Sequence, residues 1–196
     1  MAAAILDKQW RVQSMGEIST PFSREEARKL RAGDILKING VIYAARDAAH
    51  KRLVEMLEKG MELPFDITGQ IVYYVGPCPA APGRIIGSAG PTTSGRMDAY
   101  APALIRLGLT GMIGKGLRSA QVVQAMKEYG AVYFGATGGA GALIAGKILH
   151  EEVVAFPELG PEAVRRLTVK DFPVTVIIDS RGASLYDSGK EQFRCI

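Results

Sequence analysis

Cysteine is scarce in this chain of 196 residues: Cys78 and Cys195 are the only two, too far apart for a CxxC pair and too few for the framework that staples small secreted domains. A reducing compartment is the simplest inference. Long apolar runs are missing too. None approaches the roughly 20 residues that span a bilayer, and the amino terminus lacks a basic region leading into an apolar core and a cleavage site. No membrane association is expected, and the cytoplasm is the expected location. Aromatic residues make up only 7%, and lysine and arginine are scattered rather than gathered into a stripe. With no zinc-finger or RNA-reading motif, nucleic acid is not an expected partner. A net charge of +4 suits small acidic molecules better.

What is present is enough apolar material, 47% of the residues, for one sizeable core, so a single domain is expected. Ser23-Arg-Glu-Glu26 is a capping box opening a short helix to about Leu30, which Gly33-Asp34 breaks. Ile35 to Ile38 and Val41 to Ala44 are strand-like runs around Asn39-Gly40, a dipeptide that predicts a tight hairpin. Helical spacing of Leu53, Met56 and Leu57 predicts a helix from Asp47 to Glu58, stopped by Gly60. A strand over Ile71 to Val75 leads into a segment to Gly83 whose three prolines demand a stiff, irregular loop. Helices are then expected over Met97 to Leu107, from a Ser119 cap through Tyr129, and over Ala142 to Leu149; strands are expected near Met112 and Ile113, over Ala131 to Phe134 and over Val174 to Asp179. This alternation argues an α/β fold.

The stretch with most chemistry is Gly90-Pro-Thr-Thr-Ser-Gly-Arg-Met-Asp98. Glycine admits close backbone approach, hydroxyls and free amides donate hydrogen bonds, and Arg96 can fork onto a carboxylate; together they make an anion cradle. Each member also has a plainer reading. Arg96 is otherwise a solvated arginine at a helix amino end, where a cation is mildly unfavourable. Thr92 and Thr93 serve equally as a turn residue and a cap. Arg46 either pairs with Asp47 or with glutamates on its own helix, or lines the crevice at the end of the strand before it. Asp47 can cap the following helix, and His50, one turn on, suits a structural hydrogen bond better than catalysis. Lys115, between Gly114 and Gly116, is a surface lysine or a cation offered to a ligand. The run Gly135 to Gly141 matches neither GxGxxG nor a P-loop and reads as a packing turn. Cys78, between two prolines, reads as a small buried residue, and Cys195 as incidental.

Together with Gly33-Asp34, Ala45-Arg-Asp-Ala-Ala-His50 and Gly114-Lys-Gly116, the anion loop resembles the beta subunit, or carboxy-terminal domain, of class I iron-sulfur fumarases and the related L(+)-tartrate dehydratases. The likeness runs from about Thr20 to Tyr186. It implies a three-layer β/β/α swivelling domain, here placed at 20–190 after an extension over 1–19 and before a tail over 191–196. The implied function is that of a beta subunit of a hydro-lyase interconverting fumarate and (S)-malate. Arg46, Thr92, Thr93, Arg96 and Lys115 would bind substrate, Thr92 would lie near the proton transferred, and Asp47, His50 and Asp98 would support them. Two cysteines cannot hold the 4Fe-4S cluster of such an enzyme. The cluster is therefore expected on a partner alpha subunit, with no metal bound by this chain, in a hetero-oligomer for which α2β2 is one arrangement. Two alternatives stay open: the beta subunit of a tartrate dehydratase, and a non-catalytic dicarboxylate-binding or regulatory subunit.

Overall fold

The computed structural model describes residues 15–192 and 194. Cys195 and residues 1–14 of the expected extension lie outside the described residues, while Gly16–Ser19 form the first strand, β1. Thereafter come α1 (Arg24–Lys29), β2 (Ile35–Ala44), α2 (Asp47–Glu58) and β3 (Ile71–Tyr73). They are followed by α3 (Ala101–Leu107), β4 (Gly111–Gly114), α4 (Ala120–Tyr129) and β5 (Val132–Gly135). The chain finishes with α5 (Gly141–Ala145), β6 (Ile148–Ala155), β7 (Val164–Ile178) and α6 (Leu185–Gln192). Among the described residues no helix is long and apolar enough to cross a membrane.

The strands make one mixed sheet in the order β1-β2-β3-β4-β5-β7-β6. β1 through β5 run parallel in that order, and β7 is antiparallel to β5, β6 and β2. Because β7 pairs with both β5 and β2, strands β2, β3, β4, β5 and β7 close into a five-strand ring. The α/β reading and the single compact domain hold. The clear separation into three layers does not, since the two faces of sheet that such layers require are here one surface joined through β7.

Side-chain alternation builds the core. Ile71, Tyr73, Ile113, Val132 and Phe134 join one buried cluster with Ile38, Ile42 and Val176, whereas their neighbours Val72, Tyr74, Met112 and Tyr133 join a second. Leu53 of α2, Leu104 and Ile105 of α3 and Val122 and Met126 of α4 pack into that second cluster. β3 and β4 are buried throughout, which is why they read as unbroken apolar runs.

Local signals predict local structure well. Ser23 and Glu26 make the reciprocal capping box, and Ser119 caps α4 by accepting the amide of Val122. Four expectations fail. Asn39-Gly40 is not a hairpin turn but part of a continuous ten-residue strand. The positive φ that the dipeptide favours is used in a bulge, with Gly40 at φ +106 where the β2–β7 register shifts. β7 offers both halves of β2 a partner, and Asn39 Oδ1 accepts the amide of Asp171 across the pair. The expected helix over Ala142 to Leu149 stops at Ala145, because Ile148 already pairs with Val169 in β6–β7. The expected helix from Met97 is a 3-10 turn over Ser94–Met97, and α-helix begins only at Ala101, with Pro102 in its first turn. Cys78 is also exposed rather than buried.

Candidate active site at the strand ends

Arg46, the anion loop and Lys115 come together at the carboxyl ends of the parallel strands β2, β3 and β4, where crevices form in open α/β sheets. Ala45 donates its amide to Tyr73 at 3.1 Å, so β2 is held against β3 up to the point where Arg46 starts α2. Beyond β3, Thr92 donates to the Tyr74 carbonyl at 2.7 Å, Lys115 to the Thr92 carbonyl at 3.3 Å, and Ser94 to the Lys115 carbonyl at 2.9 Å. The loop thus runs beside the end of β4 as a short extra strand, with Thr93 bridged to Lys115. Glycine makes this approach possible. A Cβ on Gly114 would lie 2.0 Å from Ser94 Oγ, and one on Gly76 would lie 2.9 Å from both Cδ and Nη1 of Arg46.

Two guanidinium groups from distant parts of the sequence meet at one carboxylate. Arg96 Nη2 donates to Asp47 Oδ2 at 2.8 Å, and Arg46 Nη2 stands 3.6 Å from Asp47 Oδ1. Arg46 Nη2 also lies 3.1 Å from Oε1 of Glu162. Asp47 turns its carboxylate to the arginines, with Oδ2 accepting from Arg96 and Oδ1 facing Arg46. The pairing reading of Arg46 therefore holds for its approach to Asp47, while Arg96, read as a solvated arginine, gains its counter-charge here. Each still has N–H donors to spare, and the Arg96 side chain is 49% exposed. Thr92 is half-buried; Thr93 and Lys115 are exposed. Lys115 extends toward the glycine-rich turn, where a Cβ on Gly138 would sit 4.0 Å from its Nζ. That turn is a packing turn on its other side: a Cβ on Gly141 would lie 2.8 Å from the Gly90 nitrogen.

Asp98 is occupied elsewhere. Its Oδ1 accepts from Arg118 Nε at 2.7 Å and its Oδ2 from the Ser119 amide at 2.5 Å. The Arg118 side chain is wholly buried, with its guanidinium carbon 5.3 Å and 5.1 Å from the ring centroids of Tyr74 and Tyr133. Burial pushes the Tyr133 phenol above its usual range; it donates to the Gly116 carbonyl at 3.0 Å and lies 2.9 Å from Ser94 Oγ. Arg118 and Glu162 are the residues that sequence reasoning missed. Neither stands in a motif that signals its partner.

His50 has the structural role expected of it. It is fully buried, and its Nδ1 lies 2.8 Å from the Arg46 carbonyl, so the neutral ring donates there and ties the first turn of α2 together. Burial lowers its pKa from 6.5 to about 4. The folded state resists the proton that the unfolded chain accepts, so stability falls as pH drops from 6.5 towards 4, by on the order of 3 kcal/mol in all. Urea unfolding between pH 7 and pH 4 measures this, and His50→Gln is expected to flatten the dependence. An unchanged slope would remove His50 as its source.

A family model described as the fumarase C-terminus matches residues 6–189. Over 172 residues the chain is 39% identical to a Methanocaldococcus jannaschii protein with the provisional name L(+)-tartrate dehydratase subunit beta, covering 85% of this chain and 88% of that one. Over 153 residues it is 42% identical to the aerobic class I fumarate hydratase of Salmonella typhimurium, covering 77% of this chain and 26% of that enzyme. Fumarate hydratase 2 of Leishmania major is 38% identical over 165 residues, 83% of this chain and 29% of its own length. The chain thus spans most of the archaeal protein but under a third of either fumarate hydratase.

Proposed function

The chain belongs to the fumarase C-terminus family, and from that premise we propose that it is the beta subunit of a class I hydro-lyase that hydrates fumarate reversibly to (S)-malate. The observation that carries the reading is the convergence of Arg46 and Arg96 on Asp47, beside Thr92 and Lys115, at the ends of three parallel strands. Two guanidiniums meeting there, with Lys115 at the end of the neighbouring strand, suit a substrate with two carboxylates. The body of the subunit is 20–190, to whose sheet Gly16–Ser19 of the expected extension add β1.

Enzymes of this class use a 4Fe-4S cluster, which supplies Lewis-acid chemistry when bound. The described residues of this chain do not fit one. Such a cluster takes cysteine thiolates; Cys78 is exposed, and among the described residues no three His, Cys, Asp or Glu side chains converge. In this reading the cluster belongs to an alpha subunit, in a hetero-oligomer such as α2β2 in the cytoplasm. What this chain does is hold the acid. Arg46, Arg96 and Lys115 clamp the carboxylates, and they offset the negative charge that grows on one of them as the neighbouring carbon loses its proton. Thr92 stands by that proton; a hydroxyl is too weak a base to take it without an ionised partner.

Tartrate is the second reading, favoured by the match in length to the archaeal protein named for it. One more hydroxyl on the substrate alters only a few pocket contacts. The test is a pull-down of the native complex with its iron measured, followed by steady-state rates with fumarate and L(+)-tartrate. The complex is expected to act on fumarate, and the iron-free chain alone on neither acid. Turnover of fumarate by the isolated chain would overturn the shared site, and a complex acting on tartrate alone would reassign the substrate.

A further inference from the structure

Between β6 and β7 the segment Pro157–Glu162 makes two short 3-10 pieces joined at a kink at Gly160, and it leans on the start of α2. It is fixed from both sides. Arg165 of β7 donates from Nη2 to the Gly160 carbonyl at 2.9 Å. On the α2 side Arg52 pairs with Glu158, and its guanidinium carbon lies 5.3 Å from the Phe156 ring centroid. The turn ends in Glu162, whose two oxygens do different work. Oε2 accepts the amide of Ala48 at 3.2 Å, and Oε1 stands 3.1 Å from Arg46 Nη2.

Ala48 lies in the first turn of α2, where backbone amides have no partner within the helix and the helix end carries partial positive charge. A guanidinium at that end adds repulsion. One carboxylate set against both the amide and the guanidinium offsets it and fixes the arginine relative to the helix. The other side of the Arg46 side chain is bounded by Gly76, where a Cβ would lie 2.9 Å from Cδ and Nη1. Arg46 is thus held in a slot between a backbone without side chain and the Glu162 carboxylate. From this geometry we infer that Glu162 is a positioning residue for the proposed substrate-binding Arg46, aiming its guanidinium into the pocket without touching substrate itself. The inference rests on the reading of the pocket given above.

A double-mutant cycle on the native complex tests it, with fumarate as substrate, or L(+)-tartrate if that is the acid the wild-type complex takes. Glu162→Gln keeps the shape and the amide contact while removing the negative charge that faces Arg46, and it is expected to raise KM at least about fivefold with kcat within about threefold. Arg46→Ala is expected to cost more. The double variant should match Arg46→Ala within about twofold, because a residue acting only through Arg46 has nothing left to act on. A general loss of structure would instead add in full to Arg46→Ala and lower the melting temperature. If Arg46→Ala is damaging while Glu162→Gln is silent, or if the two effects add, the positioning role alone is overturned. If Arg46→Ala behaves as wild type, or the wild-type complex turns over neither acid, the pocket reading fails and this inference fails with it.

Discussion

Arg96→Ala in the reconstituted complex is expected to lower kcat/KM for fumarate at least about 100-fold, roughly 2.7 kcal/mol of transition-state stabilisation. The magnitude follows from the setting. Arg96 projects from the 3-10 turn Ser94–Met97 and is tethered to Asp47 by one 2.8 Å contact, so its remaining donors are free to fork onto a carboxylate. The side chain is 49% exposed, and its ion pair with Asp47 contributes little to folding, on the order of 0 to 1 kcal/mol. Melting of the variant should therefore stay close to wild type, which separates lost catalysis from lost structure. Arg96→Lys should recover only part of the loss, since an ammonium cannot reproduce a planar fork. A loss under about tenfold with unchanged melting would leave Arg96 a surface cation paired with Asp47.

The parts of this molecule that could be read from sequence are those whose cause lies within a few residues. Ser23 with Glu26, and Ser119 before α4, specify helix starts through their own side chains. The placing of Arg46 and Lys115 was legible for a related reason: each closely follows a strand recognisable by its apolar run, and parallel strands bring such ends together; Thr92, well beyond β3 in the chain, was joined to them by the family resemblance alone. Hidden from it were features set by distant partners. Asn39-Gly40 carries a turn signal that β7 overrides by pairing with residues on both sides of it. β6 and the first half of β7 are rich in charge, as in His150-Glu-Glu152 and Arg165-Arg166, and their pairing becomes evident only once the sheet brings them side by side. Glu162 reaches Arg46 across more than a hundred residues. Arg118 follows Gly116-Leu117 like any surface arginine, and its burial depends on Tyr74, Asp98 and Tyr133 arriving from three other segments.

That burial gives the largest stability effect to be expected here. Asp98→Ala should destabilise the chain by about 3–5 kcal/mol, because it strands a guanidinium whose side chain has no exposure to water. Among the described residues Arg118 Nη2 already lacks a partner, and after the substitution its Nε would lack one too. The Ser119 amide at the start of α4 loses its acceptor in the same step. The damage should reach the anion loop, since Asp98 lies two residues beyond Arg96, and Tyr133, against which Arg118 packs, holds Ser94. Urea unfolding measures the loss, and Asp98→Ala with Arg118→Met should regain part of it by removing the buried charge as well. If Asp98→Ala alone costs under about 1 kcal/mol, the pair is not what holds this loop to α4, and Asp98 becomes available for a role facing the substrate.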